Sequence, residues 1–463
     1  SLMLLGVLTF FGASNVWATD YYYRGTANSW AAATDDYKFS ATSTDGIYKF
    51  HLSAVENNHV FKIFTAADDW NATQYNYGNI DNGRSNITLY GEDNITLWMP
   101  ATSDVDIYLD VTNESAVKVY AIATGLEVVS VYVTSKVAPY LHAYESIADA
   151  EDYNYSMAWD DHRIQFTQTE AVDGITYYKR DVAVPNGHNL TIIFRDEAGS
   201  NQSADINLGS ITSLKSVYYA IGDNYKEAKL KDNRDWENPN TLTNNKISVS
   251  LTATQEFLFG MVCGDKWFGG GTITSSGYYN LTHDGGNVSL TAPIAGNYEF
   301  SFGWNGENPQ VHVVFPYKRE VANNMYGTIC LPNASSEFTG MEVYSIKGTV
   351  KSEGTITGVA LEEIDGQMEA GVPYIFKATS TEISVTGTGA VLTSPISATG
   401  LVGNLNSSYL DVPVDSYILT TTGLRKVVSG GAAQVAQNRA YINLSEVSEV
   451  GALAPGMRIL SIE

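Results

Sequence analysis

The chain predicts an all-β protein: tandem antiparallel β-sandwich modules of immunoglobulin-like type, joined by short linkers and followed by a C-terminal β-domain. Three observations carry this. Apolar and polar residues alternate with period two through successive runs, as in Ile47-Tyr48-Lys49-Phe50-His51-Leu52. Clusters of Gly, Asn, Asp, Ser and Thr separate the runs as turns do. The usage of 30 Tyr and 40 Gly favours strands and turns over helices. With 463 residues the chain has room for three or four modules of about 100 residues each.

Taken in order, residues 1–18 form an apolar run that ends in Val16-Trp17-Ala18, which reads as a secretory signal cut short at its start. The run is short for a bilayer-spanning helix, and no later stretch is long and apolar enough to be one. Export to the cell surface or medium of a bacterium follows from that reading. Residues 20–122 make a first sandwich, with strands around Gly46–Leu52 and Val60-Phe61-Lys62-Ile63-Phe64 and closing strands from Val105 to Ala121. Residues 128–232 make a second, in which the strand Ile192-Ile193-Phe194 runs into the turn Gly199-Ser200-Asn201-Gln202 and then a further short strand. Polar residues 231–246, with Pro239 and many Asn, read as a linker. Residues 247–316 repeat part of the first module: Phe257-Leu258-Phe259 before Trp267 parallels Phe61 to Phe64 before Trp70, and Asn280 to Pro293 parallels Asn86 to Pro100. Residues 317–463 form the last β-domain.

The charge and the missing motifs exclude several functions. With 51 acidic against 27 basic residues, the net charge of −24 opposes nucleic acid and anionic lipid. The seven His do not fall at metal-ligand spacings, and pairs such as Asp35-Asp36 and Asp68-Asp69 match no calcium loop, so neither a metal nor a cofactor is expected. No nucleophile elbow or phosphate-cradling loop is present. Glycoside hydrolysis needs two carboxylates on a scaffold that is commonly a large α/β barrel, and no strands alternate with long amphipathic helices here. The chain is therefore expected not to be an enzyme. Cys263 and Cys330 fall in different modules and are expected as buried thiols.

Flat side chains next to a planar amide suit sugar binding, because a pyranose stacks its apolar face on an aromatic ring while its hydroxyls seek polar partners. Residues 128–232 bring together Val131-Tyr132-Val133, His142, Tyr144, Trp159 and Gly199-Ser200-Asn201-Gln202-Ser203-Ala204-Asp205. This segment resembles the starch-binding carbohydrate-binding modules of the family-26 and family-25 type. That resemblance implies His142, Tyr144, Trp159 and Gln202 as ligand contacts on a solvent-facing platform. Trp159-Asp160-Asp161 stands where the family has Trp-Pro-Gly. The opening Arg24-Gly25-x-x-Asn28-x-Trp30, followed by Phe61-Lys62-Ile63 and Trp70, resembles the surface starch-binding modules of Bacteroidetes-type glycan systems and implies Trp30 and Trp70 as site residues. Gly327-Thr328-Ile329-Cys330-Leu331-Pro332 and Ala370-Gly371-Val372-Pro373-Tyr374 are similar to a C-terminal β-domain of secreted proteins of that group, which implies location and architecture alone.

The resemblance implies non-catalytic binding of starch or related α-glucans by several modules, with other glycan-utilisation proteins as further partners. A structural or adhesive surface protein, and an accessory region of a truncated secreted amylase, are the alternatives. Core packing is the competing role at each Trp, and Trp304, in the hairpin Gly303-Trp304-Asn305-Gly306, is expected at the surface.

Overall fold

The alternation in the sequence is realised as paired sheets whose inward residues meet. The computed structural model describes residues 19–146, 153–156, 164–388, 392, 394–405, 408–420, 423–431, 433–451 and 457–462. Strands dominate the described residues and no described helix reaches seven residues, so the all-β expectation holds. Among the described residues no helix is long and apolar enough to cross a membrane.

In the first module one sheet orders the strands Tyr22–Gly25, His59–Phe64, Ile95–Trp98 and Thr88–Tyr90, with Gln74–Tyr75 also paired to His59–Phe64. The facing sheet orders Ser40–Ala41, Ile47–Val55, Ser103–Asp110 and Lys118–Thr124. Period two sends Tyr23, Phe61, Ile63, Val105 and Ile107 into one core and leaves Arg24, Lys62 and Phe64 on the opposite side of their sheet. The second module pairs Glu127–Thr134 in parallel with Lys215–Ala220 and antiparallel with Ile175–Val184. Its other sheet orders Tyr153–Ser156, Tyr140–Ser146, Asn189–Arg195 and Ile206–Ser210.

The third module starts earlier than the sequence suggested. Residues 231–246 are not a linker: Ala228–Asp232 and Asp235–Thr241 form an antiparallel hairpin in the module's larger sheet. Asp235–Thr241 is an edge strand, where polar side chains and Pro239 are tolerated because one row of backbone groups needs no ladder partner. Part of the strand order is common to the first and third modules. Ala228–Asp232, Glu256–Cys263 and Val288–Thr291 follow the order of Tyr22–Gly25, His59–Phe64 and Ile95–Trp98. The register agrees too, Gly25 opposing Phe61 and Phe61 opposing Ile95, as Asp232 opposes Phe259 and Phe259 opposes Val288. In that register Trp267, opposite Val262, takes the place of Gln74, opposite Phe64, and not of Trp70. Trp70 belongs to the longer connection before Gln74.

Buried polar contacts tie the modules together. The Arg180 side chain is fully buried and donates from Nη2 to the Ile87 carbonyl at 3.1 Å, while the Ala183 amide donates to the Asn86 carbonyl at 3.0 Å. Between the second and third modules, Asn245 Nδ2 donates to Tyr177 Oη at 2.8 Å and to the Phe302 carbonyl at 2.6 Å. Trp304 is also at this junction and, against expectation, buried: its indole N–H donates to the Ile221 carbonyl at 2.9 Å and its amide to Thr134 Oγ1 at 3.1 Å. Trp304 lies on the inward face of its strand with Tyr298, Phe300 and Phe302, meets Phe268 edge-on at 5.7 Å, and its hairpin end abuts the second module. Cys263 and Cys330 are free and buried, and burial pushes both thiols up to about 12.

Candidate functional site

Strand register decides which of the expected residues share a surface. In Tyr140–Ser146, Leu141 and Ala143 enter the second module's core, so Tyr140, His142 and Tyr144 take the opposite face. Tyr140 opposes Arg195, and Arg195 forms a bridge with Gln202, which brings Gln202 to that same face. His142 and Tyr144 lie with ring centroids 5.3 Å apart. The structure thus gathers His142, Tyr144 and Gln202 on one side of one sheet. Trp159 lies outside the described residues.

The two rings do not form the expected solvent-facing platform. His142 and Tyr144 are buried, 7 % and 8 % exposed, although they point away from the core. Tyr144 Oη donates to Asp205 Oδ2 at 2.8 Å, so the last residue of the Gly199–Asp205 motif positions the tyrosine. Burial, and then the charge of Arg195, pushes the His142 imidazole down to about 4, against an upward pull from Asp205. A ring in that state is neutral near pH 7 and serves as an apolar plane. The turn before Gln202 is held by Asp196, whose carboxylate accepts from the Ser200 and Asn201 amides and from Asn201 Nδ2 at 2.7 Å. Burial pushes the Asp196 carboxyl up and these donors outweigh it, leaving its pKa below the ordinary value. Asn201 is therefore engaged within the turn, and the Gln202 carbonyl accepts from Lys226 Nζ at 2.8 Å.

In the first module each residue of Arg24-Gly25-x-x-Asn28-x-Trp30 has a definable task. A Cβ on Gly25 would come within 2.2 Å of the Val60 carbonyl oxygen, so only glycine permits the close strand approach. Asn28 Oδ1 accepts from the Gly25 amide at 2.9 Å and closes the turn. Ser29 and Trp30 then adopt left-handed φ of 51° and 61°, which is uncommon for non-glycine residues, and the Trp30 side chain is half-buried. Arg24 supports the turn from below, donating through Nε to the Ala31 carbonyl at 3.0 Å.

Trp30 and Trp70 meet with planes 25° apart and centroids separated by 6.4 Å. Arg24 Cζ lies 3.9 Å from the Trp70 ring centroid, and Phe64 meets that ring edge-on at 5.2 Å. Arg24 and Phe64 are buried while Trp70 is 48 % exposed, so the indole rests on a cationic and aromatic base while nearly half of it meets solvent. Gln74 Nε2 donates to the Trp70 carbonyl at 2.7 Å and fixes the connecting loop. A sugar ring needs about 3.5–4.0 Å of clearance to each flanking face, more than a 6.4 Å separation leaves, so a pyranose would lie over the pair rather than between its members.

Sequence reasoning missed Arg24 and Asp205 as site-supporting residues. Both lie inside the quoted motifs, and only their contacts reveal the role. No protein-family model matches the chain, and no curated protein matches it.

Proposed function

We propose that the chain is a non-catalytic, exported carbohydrate-binding protein whose ligand is starch or a related α-glucan. The observation that carries the reading is the open, near-parallel Trp30–Trp70 pair set on buried Arg24 and Phe64. Such a surface suits the apolar face of a glucose ring. The cluster of His142, Tyr144 and Gln202 on one face of the second module supports it, as does the net charge of −24, which suits a neutral polymer better than an anionic one. Weak single contacts become strong retention when several sites engage one polymer, through effective concentration.

A second reading, in which the central module is a structural or adhesive spacer, is favoured by the burial of His142 and Tyr144. The test is native gel electrophoresis of the full chain in amylopectin, with dextran as control and reducing-sugar release measured in parallel. Retardation in amylopectin without sugar release is expected. Unretarded migration refutes starch binding, and sugar release refutes the non-catalytic reading.

A further inference from the structure

We propose that the third module carries its own site for a pyranose ring of a neutral glucan, built on Trp267 and Trp236; its ligand class rests on the reading above. On the strand Glu256–Cys263, Phe257, Phe259 and Met261 enter the core, leaving Leu258 and Gly260 on the outer face. Trp267 lies on that outer face, since it opposes Val262. A Cβ on Gly260 would come within 2.4 Å of the Trp267 six-membered ring, so the indole lies directly against the glycine backbone. Gly260 does not have the positive φ that itself demands glycine. The missing side chain serves the close approach of the ring.

The floor is fixed at its other end as well, because Trp267 Nε1 donates to the Gly285 carbonyl at 2.8 Å. An indole with its N–H satisfied and its underside covered has little rotational freedom to lose when a ligand arrives. Trp236, from the edge strand, stands beside it at 58° with centroids 6.1 Å apart, a wall next to a floor. Lys231, Leu258 and Asn287 complete an open groove of about 380 Å³. An ammonium and an amide at the margin of an aromatic plane are hydrogen-bonding partners for sugar hydroxyls. Neither tryptophan belongs to the module's core, and Trp236 is 37 % exposed.

The shared strand order adds independent weight. Arg24 and Lys231 occupy the same register position, opposite Lys62 and Gly260. In both modules a tryptophan that follows the first strand of this sheet meets one that follows the second, on the outer face. The partners differ in detail, Trp267 lying flat where the first module has Lys62, so the two sites take the ring in different poses.

Titration of the full chain with maltoheptaose decides the matter, using Trp30→Ala/Trp70→Ala and Trp236→Ala/Trp267→Ala. Two classes of site are expected in the unmodified chain, with Trp236→Ala/Trp267→Ala weakening one of them at least tenfold and the other pair of substitutions removing the other. Gly260→Ala keeps both tryptophans and lifts the floor, but its Cβ would also come within 2.9 Å of the Phe268 carbonyl oxygen, so it is expected to weaken the same class together with a lower thermal midpoint. If only the Trp30/Trp70 substitutions matter, the third-module site is refuted and glucan binding stands. If the unmodified chain binds no maltoheptaose, both are refuted.

Discussion

Replacing Trp70 by Ala removes the most exposed ring of the first module without opening its core, and the expected cost follows from its surroundings. A tryptophan side chain offers at most about 250 Å². At 48 % exposure, about 120 Å² is open, and a pyranose covering one face removes roughly half of that from water. At about 25 cal/mol per Å² the loss is about 1.5 kcal/mol, or close to tenfold in Kd. Isothermal titration of a chain already carrying Trp236→Ala/Trp267→Ala isolates this site, and Trp70→Phe, which keeps a plane of smaller area, should lose less. A Kd within twofold of the parent for Trp70→Ala, with the thermal midpoint unchanged, would refute the stacking argument. A loss that follows the midpoint in both variants would place Trp70 among structural residues.

Stability should fall as pH drops from about 6.5 toward 4. Burial holds both His142 and His312 down to about 4, so the unfolded chain binds protons in this interval that the folded chain refuses. Each histidine then withdraws up to about 3 kcal/mol of stability at the acid end. Denaturant midpoints across that range should show it, and His142→Phe or His312→Phe should flatten the slope; unchanged slopes in both would refute the assignment. Arg180 is buried with Nε and Nη1 lacking acceptors among the described residues, and burial pushes its pKa down to about 10. Arg180→Met is expected to match or exceed the parent's denaturation midpoint while Arg180→Ala, which leaves a cavity, lowers it; equal losses would contradict the cost assigned to the buried charge. Tyr144→Phe removes the hydrogen bond to Asp205 and should cost about 1 kcal/mol in a denaturant titration, and no loss would mean that the pair does not restrain the ring.

The sequence was legible wherever its signal is local. Alternation at Ile47–Val55 and His59–Phe64 yields strands with the expected faces, because a period of two allows only one assignment of sides once one face is apolar. The strand order common to the first and third modules was visible for the same reason: matching strands and turns preserve ladder register. Arg24-Gly25-x-x-Asn28-x-Trp30 stood out only by resemblance, and the glycine contact and Asn closure that give its residues their tasks came from the structure. Asp235–Thr241 was misread, since an edge strand need not carry an apolar face.

What the sequence by itself determined is the class of element, and the sheet face its side chains take, where apolar and polar residues alternate clearly, as at Ile47–Val55. Whether a ring on the outer face meets water was decided only by tertiary structure. Tyr144 and Trp70 both lie outside their modules' cores, yet packing leaves the first 8 % and the second 48 % exposed. Trp236 joined Trp267, and His142 was withdrawn from solvent, by the same kind of packing between distant segments. Alternation specifies a direction relative to one strand, whereas exposure depends on every other segment that comes to lie over it.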